Sequence, residues 1–525
     1  MKRRTFLAAG AGLLAAPAIG HAQQNRVLRF IPQTDLTVLD PVINASYATR
    51  NHGYMVFDTL YGTDTQFRVT PQMVEGHVVE NGGRLWKLIL REGLKWHDGE
   101  RVLARDCVAS IRRWAVRDAF GQGLMAATEE LSAPDDRTIQ FRLKAPFPLL
   151  PEALGKMPSL VPVMMPERLA KTDPFTQVTE MVGSGPFRFL ADERVSGVRV
   201  AYARFDGYVP RSGGTADGTA GPKVVHVDRV EWTTIPDGAT AAAAMRSGEQ
   251  DWLEFAANDV IPLLARARSL KVAVQEQSGM ITLMRMNHLQ PPFDNPAIRR
   301  ALLGAVNQAD FVQAVAGADP AMWHAPIGFF TPGSPMASDA GMEVFKGPRD
   351  YDKVKRELAA AGYKGEKVVL LGASDPAFIG TLAEVAADML RKAGMNVDLQ
   401  MSDWGTLTAR RLSREPVEKG GWSCLMTALT GVDMANPALQ LALRGNGDKA
   451  MYGWPNLPEL EALVGEWFAA EGLAAQQAVA RRLQLQAMQD LPYIPTGQFL
   501  QAAAQSAKLQ DVVRGFPVFW NVRKV

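Results

Sequence analysis

Residues 367–401 read KVVLLGASDPAFIGTLAEVAADMLRKAGMNVDLQM, and their pattern decides the fold class. Lys367 to Leu371 is an apolar run of strand length. From about Ile379 to Ala393, residues Leu382, Val385, Ala386, Met389 and Leu390 recur on one side of a helix, and Gly394 ends it. Met395, Val397, Leu399 and Met401 then alternate as a strand does. Two strands joined by one helix imply a parallel pair with a right-handed crossover, hence an α/β sheet covered by helices.

Outward from this stretch, a second unit of the same kind precedes it. Val224 to Ile235 reads as a strand, Asp237 caps a helix through Arg246 that Gly248 stops, and Trp252-Leu253-Glu254-Phe255 returns as a strand. Between about 56 and 182 lies further material. It holds strands at Trp86 to Leu90 and Thr138 to Leu143, and a helix from Leu103 to Arg117 that buries Val108, Ile111 and Ala115 and leaves Arg105, Arg112 and Arg113 in water. Asn295-Pro296 starts a helix carrying Ile298, Leu302 and Val306, and residues 456–489 hold two more. The pattern predicts two α/β lobes. Open α/β sheets bind ligands beyond the carboxyl ends of their strands, so two facing lobes make a cleft that can close.

The 525 residues are 47% hydrophobic and 21% charged, which excludes a disordered chain or a disulfide scaffold. Residues 1–22, MKRRTFLAAGAGLLAAPAIGHA, combine a basic start, a short apolar run and small residues before a cleavage site near Ala22. This predicts a signal peptide, and Arg3-Arg4 looks like the twin-arginine export type. Its removal takes away Lys2, Arg3 and Arg4, leaving 54 basic against 55 acidic residues. No basic surplus then points to nucleic acid or anionic lipid. Cys107 and Cys424 are expected as two buried free thiols.

Catalytic signatures are missing from the sequence: it has no HExxH, CxxC, P-loop or GxSxG. The seven histidines share no metal-ligand spacing, so neither a metal nor a cofactor is expected. His324, in Met322-Trp323-His324-Ala325-Pro326, is either a ligand contact or part of a surface loop whose tryptophan packs down. Trp323, Trp404 and Trp422 fall at element ends, where broad aromatics either line a pocket or fill lobe cores. Asp433 follows the end of a strand expected at Trp422 to Met426. There its carboxylate either anchors an ammonium group or caps a helix over 434–442.

The run Leu90 to Trp114, LREGLKWHDGERVLARDCVASIRRW, resembles the signature of the family 5 extracellular solute-binding proteins, the peptide, nickel and oligosaccharide receptors of ABC importers. Leu39-Asp40-Pro41, Val56-Phe57-Asp58-Thr59-Leu60, Gly183-Ser184-Gly185-Pro186-Phe187, the run from Pro292 to Arg299 and Asp403-Trp404 extend the resemblance over nearly the whole chain. It implies the two-lobed periplasmic binding protein fold, type II, cluster C, with an inserted subdomain in the first lobe. Lobe I would take 23–55, 183–283 and 496–525, the insert 56–182, and lobe II 284–495. Crossovers near Met280–Asn287 and Pro492–Gln498 would form the hinge. It also implies a monomeric periplasmic receptor, not an enzyme, that passes a peptide or other small amine-bearing solute to an inner-membrane ABC permease. A ligand sensor or chaperone without transport, and a secreted hydrolase, are the alternatives. By the same resemblance Asp433 would hold the solute's amino group. Dipeptide receptors of the family also carry an arginine for the ligand's carboxylate, just before the helix of the second β-α-β unit. Here that stretch is Gly372-Ala373-Ser374-Asp375-Pro376, without one, which argues against capture of a free dipeptide carboxylate there and leaves a longer peptide, an amide or another amine-bearing solute. Trp323, His324, Trp404 and Trp422 would line the pocket, and Tyr47, in a loop, would meet them across the cleft.

Overall fold

In a computed structural model, which describes residues 26–525, the deciding stretch forms the strand Lys367–Ala373, the helix Ala377–Lys392 and the strand Asn396–Ser402. The strands are parallel, from Lys367 opposite Asn396 to Ala373 opposite Ser402. Lys367–Ala373 is buried on both faces and so reads as a continuous apolar run. Asn396–Ser402 is an edge strand, half-buried, and so it alternates. The expected export segment, residues 1–22, lies outside the described residues.

These strands belong to a six-stranded sheet ordered Trp323–His324, Ile494–Phe499, Met280–Met286, Cys424–Thr430, Lys367–Ala373, Asn396–Ser402. Its last three strands run parallel, and its first four pair antiparallel in turn. A seven-stranded sheet forms the other lobe, ordered Phe187–Phe189, Arg199–Arg204, Arg229–Thr233, Val27–Ile31, Trp252–Leu253, Ala502–Ser506, Leu270–Val274. The two strands of the earlier β-α-β unit are therefore not neighbours. Val27–Ile31 lies between them, parallel to both. Its Phe30 explains the insertion: the ring packs at 5.5 Å from both Trp232 and Trp252 and at 5.0 Å from Phe519, a buried aromatic cluster no local pairing can build.

Several local expectations shift. The strand expected at Val224 to Ile235 shortens to Arg229–Thr233. The helix after it, Gly238–Ser247, is capped by Asp237, whose carboxylate accepts from Thr240 N, and ends on Gly248 in the left-handed region. The helix from Pro296 ends at Leu302 and tightens into a 3-10 turn, so Val306 leaves its face. Arg113, expected in water, is buried on the helix Ala104–Arg117 and pairs with Asp40 at 2.7 Å. Both cysteines are free and buried.

That helix packs beside a separate four-stranded antiparallel sheet, Val74–Glu80, Leu85–Leu90, Thr138–Leu143 and Thr128–Ser132. The chain passes between the two large sheets twice, through residues 275–279 and 500–501. Gly279 sits in the first passage at φ +57°, where a Cβ would lie 2.5 Å from Phe499 O, so the close approach of the two passages requires glycine. Among the described residues no helix is long and apolar enough to cross a membrane.

Candidate functional site

The carboxyl ends of both sets of parallel strands face one cavity. Val27–Ile31 leads to Gln33, and Trp252–Leu253 leads to Glu254 and Phe255. From the other lobe Cys424–Thr430 contributes its last residue, and Gly279-Met280 enters beside it. Tyr47 and Arg50 reach in from the helix Tyr47–Val56, and Phe516 and Pro517 from the C-terminal stretch. The cavity is narrow, with a free volume of about 30 Å³, which is room for water; a larger guest requires the walls to move apart.

Tyr47 stitches the walls together. Its hydroxyl donates to Asp433 Oδ2 at 3.1 Å and accepts from Thr430 N at 3.0 Å. Asp433 also accepts from the Thr430 hydroxyl. Burial, reinforced by the Asp433 carboxylate, pushes the Tyr47 phenol well above its ordinary value, so it stays a donor. Tyr47 opens a helix rather than lying in a loop, because the chain from Tyr47 to Val56 is enclosed nearly all round. Asp433 sits in the 3-10 turn Gly431–Met434, and among the described residues its side chain is bonded by Thr430 and Tyr47. The helix expected over 434–442 is replaced by short turns, so Asp433 has no such helix to cap.

Two buried charges lie on the other wall. Arg50 is 3% exposed and Glu254 is 2% exposed. Arg50 Nε and Nη2 both donate to Asn51 Oδ1 at 3.1 Å, and Asn51 Nδ2 donates to Glu254 Oε1 at 3.3 Å. Gln33 N donates to the other Glu254 oxygen at 2.7 Å. The guanidinium lies over the rings of Phe516 at 4.0 Å and Tyr47 at 5.0 Å. Burial pushes the Glu254 carboxyl up to about 7, against the opposing pull of Gln33 N and Arg50.

Trp323 stands apart from the other two tryptophans, and Trp404 packs against the core that holds Trp422. Thr430, Met280, Phe499 and Trp323 stand opposite one another across three strand pairs and so share one face of the sheet at the cleft end. His324, next along, is exposed on an edge strand rather than in a loop. Trp404 is half-buried in the first turn of the helix Trp404–Arg410, at the carboxyl end of Asn396–Ser402. Arg411 lies 5.5 Å from its ring, and Asp403 caps the helix through Thr406 N. Trp422 is fully buried in a satellite core with Leu371, Leu425, Tyr452 and Trp454, and its indole donates to Ser413 O at 3.2 Å. It precedes its strand instead of following it, which carries it into the lobe and away from the expected pocket wall. Arg50, Glu254 and Phe516 were not anticipated. Glu254 carried a signal, since it ends a parallel strand as Asp433 nearly does.

Residues 68–450 match the family described as bacterial extracellular solute-binding proteins, family 5 Middle. The chain belongs to that family. This family 5 protein is 37% identical to the "Probable peptide ABC transporter periplasmic-binding protein y4tO" of Sinorhizobium fredii, over 99% of this chain and 98% of that one. It is 25% identical to the glutathione-binding protein GsiB of Pectobacterium atrosepticum, over 81% of this chain and 79% of the other. Among solved structures it superposes on the Helicobacter pylori DppA complex with the peptide STSA at a TM-score of 0.77 and 18% identity, covering 96% and 99% of the two chains. The A. tumefaciens R10 AgaA complex with agropinic acid gives the same TM-score at 19% identity, covering 95% and 99%. These similarities show the two-lobed periplasmic binding protein fold. The family and its neighbours are solute-binding proteins rather than enzymes.

Proposed function

We propose that this protein is the periplasmic receptor of an ABC importer, and that it closes its two lobes on a peptide or other small amine-bearing solute and passes it to an inner-membrane permease. The lobe bounds expected from the sequence move by a few residues: Met280–Met286 and Ile494–Phe499 are strands of the six-stranded sheet, so the crossovers lie at 275–279 and 500–501 rather than at Met280–Asn287 and Pro492–Gln498, lobe I would comprise 23–55, 183–274 and 502–525 with 56–182 inserted, and lobe II 280–499. The twin-arginine segment would export the chain, which would act as a monomer. The name of the Sinorhizobium relative supports the peptide class. The observation that carries the reading is the contact of Tyr47 with Asp433. In the closed form a hydroxyl donor from one lobe occupies a carboxylate on the other, and an incoming ammonium supplies the same kind of donor with a full charge. Trp323 and Trp404 would form the apolar side of the pocket, with His324 at its rim.

Asp433→Asn keeps the shape and removes the charge. Isothermal titration of a pooled dipeptide library is expected to show binding weakened about 10- to 100-fold, from a charge-assisted bond of about 1.5–3 kcal/mol. Equal affinity in the variant removes Asp433 from the site.

A further inference from the structure

We infer that Arg50 is the anion anchor of the cleft, receiving a carboxylate of the bound solute, so that the solute is a zwitterion with its charges held on opposite lobes. The inference rests on the amine reading of Asp433 and extends it.

The argument starts from what Arg50 lacks. A guanidinium has five N–H donors. Among the described residues it hydrogen-bonds one acceptor atom, Asn51 Oδ1, through Nε and Nη2, while Nη1 has no protein partner. No carboxylate of the described residues lies within ion-pair distance of it, whereas the buried Arg113 and Lys223 have Asp40 and Asp58 at 2.7 Å. Taking an arginine out of water without a counter-ion costs several kcal/mol. The side chain is nevertheless 3% exposed, is gripped between two aromatic rings and lines the cavity. Aromatic rings beside a guanidinium leave its edges open to acceptors, and with the Nε–Nη2 edge on Asn51 the Nη1–Nη2 edge remains for two-pronged recognition of a carboxylate.

Glu254 does not fill the vacancy. Asn51 separates it from Arg50, and with its carboxyl pushed up to about 7 it is partly neutral at neutral pH. Glu276, the other acid on the wall, accepts from Ser278 N at 2.9 Å. Arg50 is the single cation among the described residues lining the cavity. Arg50 lies over the ring whose hydroxyl meets Asp433, so one tyrosine separates the two anchors.

Titration calorimetry with three matched pools tests this: free-acid dipeptides, their carboxyl-terminal amides and their N-acetyl derivatives. The full-length protein is expected to bind acids at least about tenfold more tightly than amides. Arg50→Gln should lower acid binding to the amide level while binding stays sensitive to N-acetylation. Acids and amides binding the native protein equally would overturn the proposal, and that comparison needs no variant to fold. An acid preference that persists in a folded Arg50→Gln protein would overturn it as well. Acid preference with no penalty for N-acetylation supports Arg50 and refutes the amine reading instead. Failure of every pool to bind refutes both.

Discussion

Glu254 is a carboxyl group buried at the mouth of a parallel strand, and burial lifts it from 4.5 to about 7. Its folded value lies above its unfolded one, so the folded chain keeps a proton the unfolded chain has lost. The contribution of this group to stability is therefore greatest below about pH 4.5 and declines as pH rises through about 7. Urea unfolding at about pH 5 and about pH 8 should show a solute-free protein less stable at the higher pH on this account, and Glu254→Gln should flatten the difference. An identical slope in the variant would mean that the carboxyl titrates normally. Asp433 was legible in the sequence because a turn just after a strand exposes its side chain at the sheet's carboxyl edge. Glu254 obeys the same rule in Trp252-Leu253-Glu254-Phe255 and could have been read with it. Arg50 gave no such signal: the helix YATRNHGYMV is enclosed on all sides, so its polar residues follow no amphipathic period.

At the scale of elements, periodicity located the strands and helices of the two β-α-β units but passed over the half-wet helices Gln308–Ala316 and Tyr351–Ala360 and the strand Leu270–Val274. It fell silent on pairing. Val27–Ile31 enters between two later strands because distant aromatics, Trp232, Trp252 and Phe519, meet on Phe30, and no local pattern encodes that meeting. The edge strand Trp323–His324 is two residues long, too short to alternate. The strand Met280–Met286 hides a second unsignalled residue. Arg285 is fully buried in the middle of the sheet, and its guanidinium donates to the carbonyls of Tyr452 at 2.7 Å, Ala442 at 2.7 Å, Pro492 at 2.9 Å and Met451 at 3.1 Å. It thereby ties the sheet to the irregular chain over its end. Arg285→Ala should cost more than about 3 kcal/mol, since four carbonyls lose a donor and a void opens. A denaturant midpoint shifted by less than the equivalent of about 1 kcal/mol would show that water replaces the guanidinium.

For the whole molecule, two short passages join the lobes and Tyr47 bonds Thr430 and Asp433 of the other lobe on the cleft side; on the proposed receptor reading these bonds hold the closed member of an open–closed equilibrium. A guest that bonds both lobes can shift such an equilibrium only by its differential affinity for the closed form. Tyr47→Phe removes the donor to Asp433 and the acceptor for Thr430 N. The solute-free variant should therefore populate the open form more, with a larger radius of gyration than the native protein, and an unchanged radius would assign closure to other contacts. The most direct measurement of the central claim is small-angle X-ray scattering of the native protein with and without a saturating dipeptide pool, followed by mass spectrometry of the released solute. Compaction on loading, with the peptides recovered intact, is the predicted result; a radius indifferent to a bound solute, or recovery of cleaved peptides, would contradict a receptor that closes on its guest and lets it go unchanged.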